Sequence, residues 1–193
     1  LCIGADRRPG NESYFKGNIR SLAIFSGKRA ADEIALDNAR DFYDTSSSSL
    51  LVALDMSTKG DGYIRDLSAN SNYAFDERRA PTFTAGNIYE LKNNITPNGS
   101  ITFEAEIYLP DAYHSQRSGA ILSNYRDANY KEAWAFEILA GGKVRVFSYQ
   151  HGDVTINYDV TTAMKTNSSP EFVKIAVTVD TSTGSIVLYQ NGK

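Results

Sequence analysis

The sequence predicts an all-β chain, an antiparallel jelly-roll-like β-sandwich with one short helix. Three observations carry this expectation. Apolar residues recur with period two through most patterned segments, the spacing that turns one strand face to a core and the other to water. Turn-forming residues punctuate those segments at intervals of roughly 8 to 15 residues, as in sandwiches rather than parallel α/β sheets. A helical spacing is found only over residues 30–39.

In chain order, Ala30 to Ala39 reads as the helix, with Ala31, Ile34, Ala35 and Asn38 on one side. Its shortness places it on the sandwich edge. Leu50 to Asp55 reads as a strand. Ile101, Phe103, Ala105, Ile107 and Leu109 then alternate with Thr102, Glu104, Glu106 and Tyr108, the pattern of a half-buried antiparallel strand. Strands are expected over Ala120 to Tyr125, Ala133 to Leu139, Val144 to Tyr149 and Val154 to Val160. Val173, Ile175, Val177 and Val179 alternate with Lys174, Ala176 and Thr178, and Ile186 to Tyr189 is the last strand. The breaks carry turn chemistry: Gly141-Gly142, His151-Gly152-Asp153, Asn167 to Pro170, Thr181 to Gly184 and Asn191-Gly192.

Composition narrows the function classes. With 41% hydrophobic and 22% charged residues, the 193-residue chain has the balance of a folded protein. Folding at this size buries roughly 70% of the unfolded surface, so a core needs no disulfide or metal staple. A net charge of −3 lacks the basic face that nucleic acid demands. The apolar runs are far too short for a membrane span. One Cys and two His exclude a cysteine-rich zinc cluster. Cys2 lies in the apolar run Leu1-Cys2-Ile3, which reads as a buried thiol; the alternative is a disulfide to a cysteine elsewhere. The absence of an initiator Met and of a signal peptide gives the chain the look of a processed or internal piece.

Thr45-Ser46-Ser47-Ser48-Ser49 marks the one shift in composition and reads as a flexible linker over residues 46–49. It separates residues 1–45, too few to bury a core alone, from residues 50–193.

Several segments together match one family pattern. Leu51 to Asp55 is similar to its opening strand, and Asp66-Leu67-Ser68-Ala69-Asn70 to its D-x-S-G-N turn, with Ala69 where Gly is usual. Ser100 to Pro110 resembles the strand sFT-x-x-x-W-x-x-P, with Tyr108 one place late for the Trp. Gly119 to Ser123 is similar to the next strand, and Phe172 to Lys193 to the segment ending in l-Y-x-N-G-k. Leu1 to Asn38, by contrast, resembles the pattern's last quarter: Ile3-Gly4, Phe15 to Ile19, a strand through Phe25 and the Glu33-Ile34 helix. Together these segments resemble the laminin G-like (LamG-like) domains of the concanavalin A-like lectin/glucanase superfamily, with the family's last quarter ahead of its first three quarters. The missing strands must come from a fold-back of the same chain or from a neighbour. The family order points to a tandem or polymeric array, hence an extracellular adhesive repeat joined head to tail to copies of itself or to neighbouring domains.

The resemblance implies glycan or protein binding through rim loops, sometimes with calcium, and in a minority of the superfamily polysaccharide hydrolysis. Glu104 and Glu106 point the same way about 7 Å apart along one strand, a spacing suited to glycoside hydrolysis. The hydrolases' E-x-D-x-x-E pattern nevertheless fails here, because Leu109 takes the third position and Glu replaces Asp. The two carboxylates therefore read as a solvated pair on a wet face. His114 and His151 sit in polar loop sequence with no nucleophile elbow or phosphate loop nearby. No enzymatic role is expected. Tyr125, Asp127, Asn129 and Tyr130 form a compact polar and aromatic set, able to stack on sugars or offer oxygen ligands to calcium. Asn11, Asn94, Asn98 and Asn167 open N-x-S/T acceptor sequons, which fit an extracellular glycoprotein.

Overall fold

The computed structural model describes residues 1–6, 13–15, 17–58, 63–72, 74–76, 89–91, 99–108, 119–124, 134–139, 143–150, 154–163 and 172–193. In chain order its elements are β1 (Cys2–Ile3), β2 (Ala5–Asp6), β3 (Ser13–Tyr14), β4 (Asn18–Ser26), α1 (Ala31–Asn38) and β5 (Leu50–Asp55). The short strands β6 (Tyr63–Ile64), β7 (Ala74–Asp76) and β8 (Tyr89–Leu91) follow, then β9 (Ile101–Tyr108), β10 (Gly119–Ser123) and β11 (Trp134–Ile138). The last are β12 (Lys143–Gln150), β13 (Val154–Ala163), β14 (Val173–Asp180) and β15 (Ser185–Gln190). Two antiparallel sheets and one short helix make an all-β fold, consistent with a sandwich. Among the described residues, no helix is long and apolar enough to cross a membrane.

The chain divides into two compact units. One comprises Leu1–Asn18, Phe75–Asn94 and Leu109–Glu171; the other Ile19–Ala74, Ile95–Tyr108 and Phe172–Lys193. In the first, the strands run β13-β12-β11-β10-β1-β8. β1 is inserted between β10 (Cys2 opposite Ser123) and β8 (Cys2 opposite Glu90), both antiparallel. Every residue of β10 and β11 is buried, and so is Cys2, which packs with Ala5 and Tyr14. Gly119 is required by a close approach: a β-carbon there would collide with the backbone of Phe15.

In the second unit the order is β15-β14-β9-β4-β5. β9 lies at the centre, with Phe103 opposite Val177 of β14, and β4 pairs with β5, with Ala23 opposite Ala53. Ala23, Phe25, Tyr43, Leu50 and Ala53 form a core cluster, with Phe42 and Leu67 against it. β1 and β4, from residues 1–45, pair with strands of residues 50–193. Ser46–Ser49, read as a linker, connects two strands that pair in one sheet. The Asp44 carboxylate accepts from Ser46 N–H (3.0 Å) and Oγ (2.6 Å), and Ser49 O accepts from Ser26 N–H (2.8 Å).

Two local expectations need correction. The wet face of β9 is not wet: Thr102, Glu104 and Glu106 are only 0, 5 and 8% exposed. Period two reports that successive side chains alternate, but a central strand can bury both sets when its charges find partners. Secondly, α1 does not lie at an edge. It is tied to the central strands β9 and β14, and it turns Ile34 and Asp37 inward while Ala31 and Ala35 are exposed. The reason is Arg29, whose guanidinium gives Asp37 a buried partner.

Candidate functional site

Tyr125, Asp127, Asn129 and Tyr130 lie outside the described residues, as do the sequon residues Asn11, Asn94, Asn98 and Asn167 and both histidines. The polar constellation that the structure does place is built around Glu104, under α1.

Three elements converge there. The β4–α1 connection brings Arg29, 8% exposed, whose backbone N–H donates to Thr102 Oγ1 (3.0 Å). Its Nη1 donates to Glu104 Oε1 of β9 (2.5 Å) and to the Asp37 carboxylate of α1. The guanidinium also lies 4.1 Å from the Phe25 ring centroid, a cation–π contact inside a desolvated site. From β14, Lys174 Nζ donates to the carbonyls of Asp37 (3.0 Å) and Asn38 (3.3 Å), and also to that of Arg40. A cation thus closes the helix C-terminus, where α1 has no basic residue of its own.

The electrostatics follow from two carboxylates sharing one guanidinium nitrogen. Burial pushes Glu104 up to about 7, despite the nearby Arg29; Asp37 adds to the rise. Burial alone would lower Arg29, but Glu104 and Asp37 outweigh it and hold the guanidinium above its ordinary value. Tyr43, whose hydroxyl lies 3.1 Å from Ser21 Oγ, is raised well above the usual phenol value, by burial first and then by the Glu104 charge. Glu106 points to Arg20 at 3.2 Å, nearer the surface. Beside this cluster is a small cleft among Ile34, Asn38, Tyr43, Glu104, Lys174 and Tyr189, with a volume of ≈ 10 Å³. That is room for about one water, not for a sugar. The arrangement fastens a helix to a sheet. Among the described residues, no group of three or more His, Cys, Asp or Glu is placed to hold a metal ion.

No family model, curated protein or solved structure matches this chain.

Glu104 and Glu106 stood out in the sequence, but Arg29, Asp37 and Lys174 did not. Arg29 lies 75 residues before Glu104, so no spacing announces the pair. The one signal was Asp37 three residues after Ile34, an acidic residue on the face that the helix buries.

Proposed function

We propose that the chain is a non-enzymatic, extracellular, LamG-like adhesion module that binds carbohydrate or protein through its rim loops. The observation carrying this reading is the fate of the carboxylates a hydrolase would use. Glu104 is committed to Arg29 and Glu106 to Arg20, so the one strand that invited glycoside chemistry serves to anchor α1 and the sheet. That leaves Tyr125, Asp127, Asn129 and Tyr130, in the segment between β10 and β11, as the residues best suited to a ligand, with calcium a candidate bridge. The four sequons support an extracellular setting. Head-to-tail strand exchange has less support, because it would draw residues 1–45 from places they fill in their own chain.

Titration of the protein over arrays of glycans and matrix proteins, with and without calcium, tests the reading. Saturable binding is expected, reduced in D127A and Y130A. Binding that persists unchanged in the double variant would move the site elsewhere, and no saturable binding under either condition would sink the function.

A further inference from the structure

On β9, alternation puts Thr102, Glu104, Glu106 and Tyr108 on one face of the strand. Arg29 takes the first two, through its backbone N–H and its guanidinium. Lys174, opposite Glu106 on β14, is held by the carbonyls that end α1. Past the helix the same face continues with Glu106 and Tyr108. Phe172 immediately precedes β14, so the register that sets Val173 opposite Ile107 brings it to Tyr108; the ring centroids are 6.1 Å apart, with the planes at 52°. From β4, Arg20 joins the rings to the carboxylate. Its guanidinium lies 5.1 Å from the Phe172 centroid, and its Nη1 donates to Glu106 Oε1 at 3.2 Å. All four residues belong to the second unit.

The polar groups of this platform are only half used. Arg20 gives one nitrogen to Glu106; among the described residues its Nε and Nη2 have no hydrogen-bond partner, and its side chain is 59% exposed. Glu106 is recessed, with its side chain 10% exposed, yet its Oε2 accepts no hydrogen bond from the described residues and is not sealed from solvent. Tyr108 Oη is equally unengaged among them. A carboxylate oxygen this deep is costly to leave unpaired, so a donor that reaches it is stabilising. Phe172 is 37% exposed and Tyr108 is half-buried.

Three features select the chemistry of the donor. Arg20 and Glu106 compensate each other, so an ammonium meets Arg20 and an anion meets Glu106, and neither is favoured. Free donor and free acceptor are neighbours, which suits a group that is both, as a hydroxyl is. The accepting oxygen is recessed, within reach of a hydroxyl projecting from a ring edge but not of a backbone N–H flanked by its own side chains. Two aromatic rings and a stacked guanidinium add a flat surface for the C–H face of such a ring.

We propose that Arg20, Glu106, Tyr108 and Phe172 form a subsite for one uncharged pyranose ring of a saccharide. The ring lies on the aromatic and guanidinium surface, and adjacent hydroxyls bridge Glu106 Oε2 and the free Arg20 nitrogens. None of these residues belongs to the 125–130 set, so this subsite and the rim-loop reading fail separately. One ring covers little area, so binding is weak, with a Kd of about 1 mM or above. It gains strength on a polysaccharide that presents rings in series.

Backbone-amide NMR shifts during titration with the methyl glycosides of glucose, galactose and mannose, each up to about 50 mM, are the test. Saturable shifts at Arg20, Glu106, Tyr108 and Phe172 are expected with at least one of the three. R20M keeps an apolar stem but removes the donors, and F172A removes a ring; each should weaken binding by about tenfold or more. E106Q keeps the shape without the charge and should weaken it by about threefold or more. The D127A/Y130A double variant should leave these shifts intact, even where it abolishes binding by the rim loop. Urea unfolding confirms that each variant folds; should F172A fail, R20M, at an exposed position, carries the comparison. An absence of saturable shifts at these four amides with all three glycosides would overturn the proposal. So would shifts insensitive to folded R20M and E106Q, or shifts produced by a proline-rich peptide or a methyl glucuronide but by none of the neutral glycosides.

Discussion

The two halves of the five-stranded sheet show two ways of finishing a β-structure. On the β5 side, one buried carboxylate closes the edge: Asp66 accepts from Ala53, Ser68 and Asn72 N–H groups and from Ser68 Oγ. On the β15 side, the strand is steadied through the helix, by Lys174 on the carbonyls of α1 and by the 191–192 turn against Ala35 and Asn38. The difference lies in distance along the chain. The plug is 13 residues from the strand it seals, a local turn that brings its own acceptors. The helix anchor joins residues 137 positions apart and needs the whole sheet to exist first. Local closure is legible and self-contained, whereas long-range anchoring is neither.

The comparison breaks most severely at the helix anchor. Arg29→Ala leaves the buried Asp37 and Glu104 carboxylates without their shared cation and should cost about 3–5 kcal/mol. α1 should lose protection in hydrogen exchange before β5 does, which urea unfolding combined with exchange would read. If β5 and its plug opened together with the helix, the two sides would not be independent.

Removing the plug comes next. Asp66→Ala orphans the buried Ala53 and Asn72 N–H groups and should destabilise by roughly 2–4 kcal/mol. A second signature separates it from a simple packing loss: β5, now unsealed, should pair between molecules, so Asp66→Ala should raise the rate of aggregation more than an equally destabilising core change such as Leu22→Ala.

The smallest effect is a pH dependence confined to the helix side. Glu104 is raised from 4.5 when unfolded to about 7 when folded. Between those values the folded state holds a proton that the unfolded state has released, so stability declines as pH rises through that window and levels off above it. The decline should amount to about 1–3 kcal/mol from pH 5 to pH 8. Urea midpoints measured at intervals of one pH unit should show it, and Glu104→Gln should flatten the slope.

Much of the second unit was legible in the sequence. Leu50 to Asp55 was read at its observed bounds, and the strand expected from Ile101 is observed from there through Tyr108, the last described residue of that segment. The D-x-S-x-N resemblance pointed to a turn, and its role as a plug explains the Asp, Ser and Asn. The left-handed backbone there is at Ser71 (φ 50°), so Ala69 in the usual glycine place brings no strain. What misled was polarity. Glu104 and Glu106 looked wet because period two cannot distinguish a solvated charge from one paired across the fold.

By itself, therefore, the sequence determined the all-β class, most strand positions and the turns at 181–184 and 191–192, because these depend on alternation and on residues a few places apart. Tertiary structure alone decided that strands of residues 1–45 pair with strands of residues 50–193. It likewise decided that α1 lies over the centre of a sheet with Asp37 inward, and that Asp66 seals β5. The reason is physical: burying a charge costs several kcal/mol unless a partner arrives, and Arg29 reaches Glu104 across 75 residues that no local pattern connects.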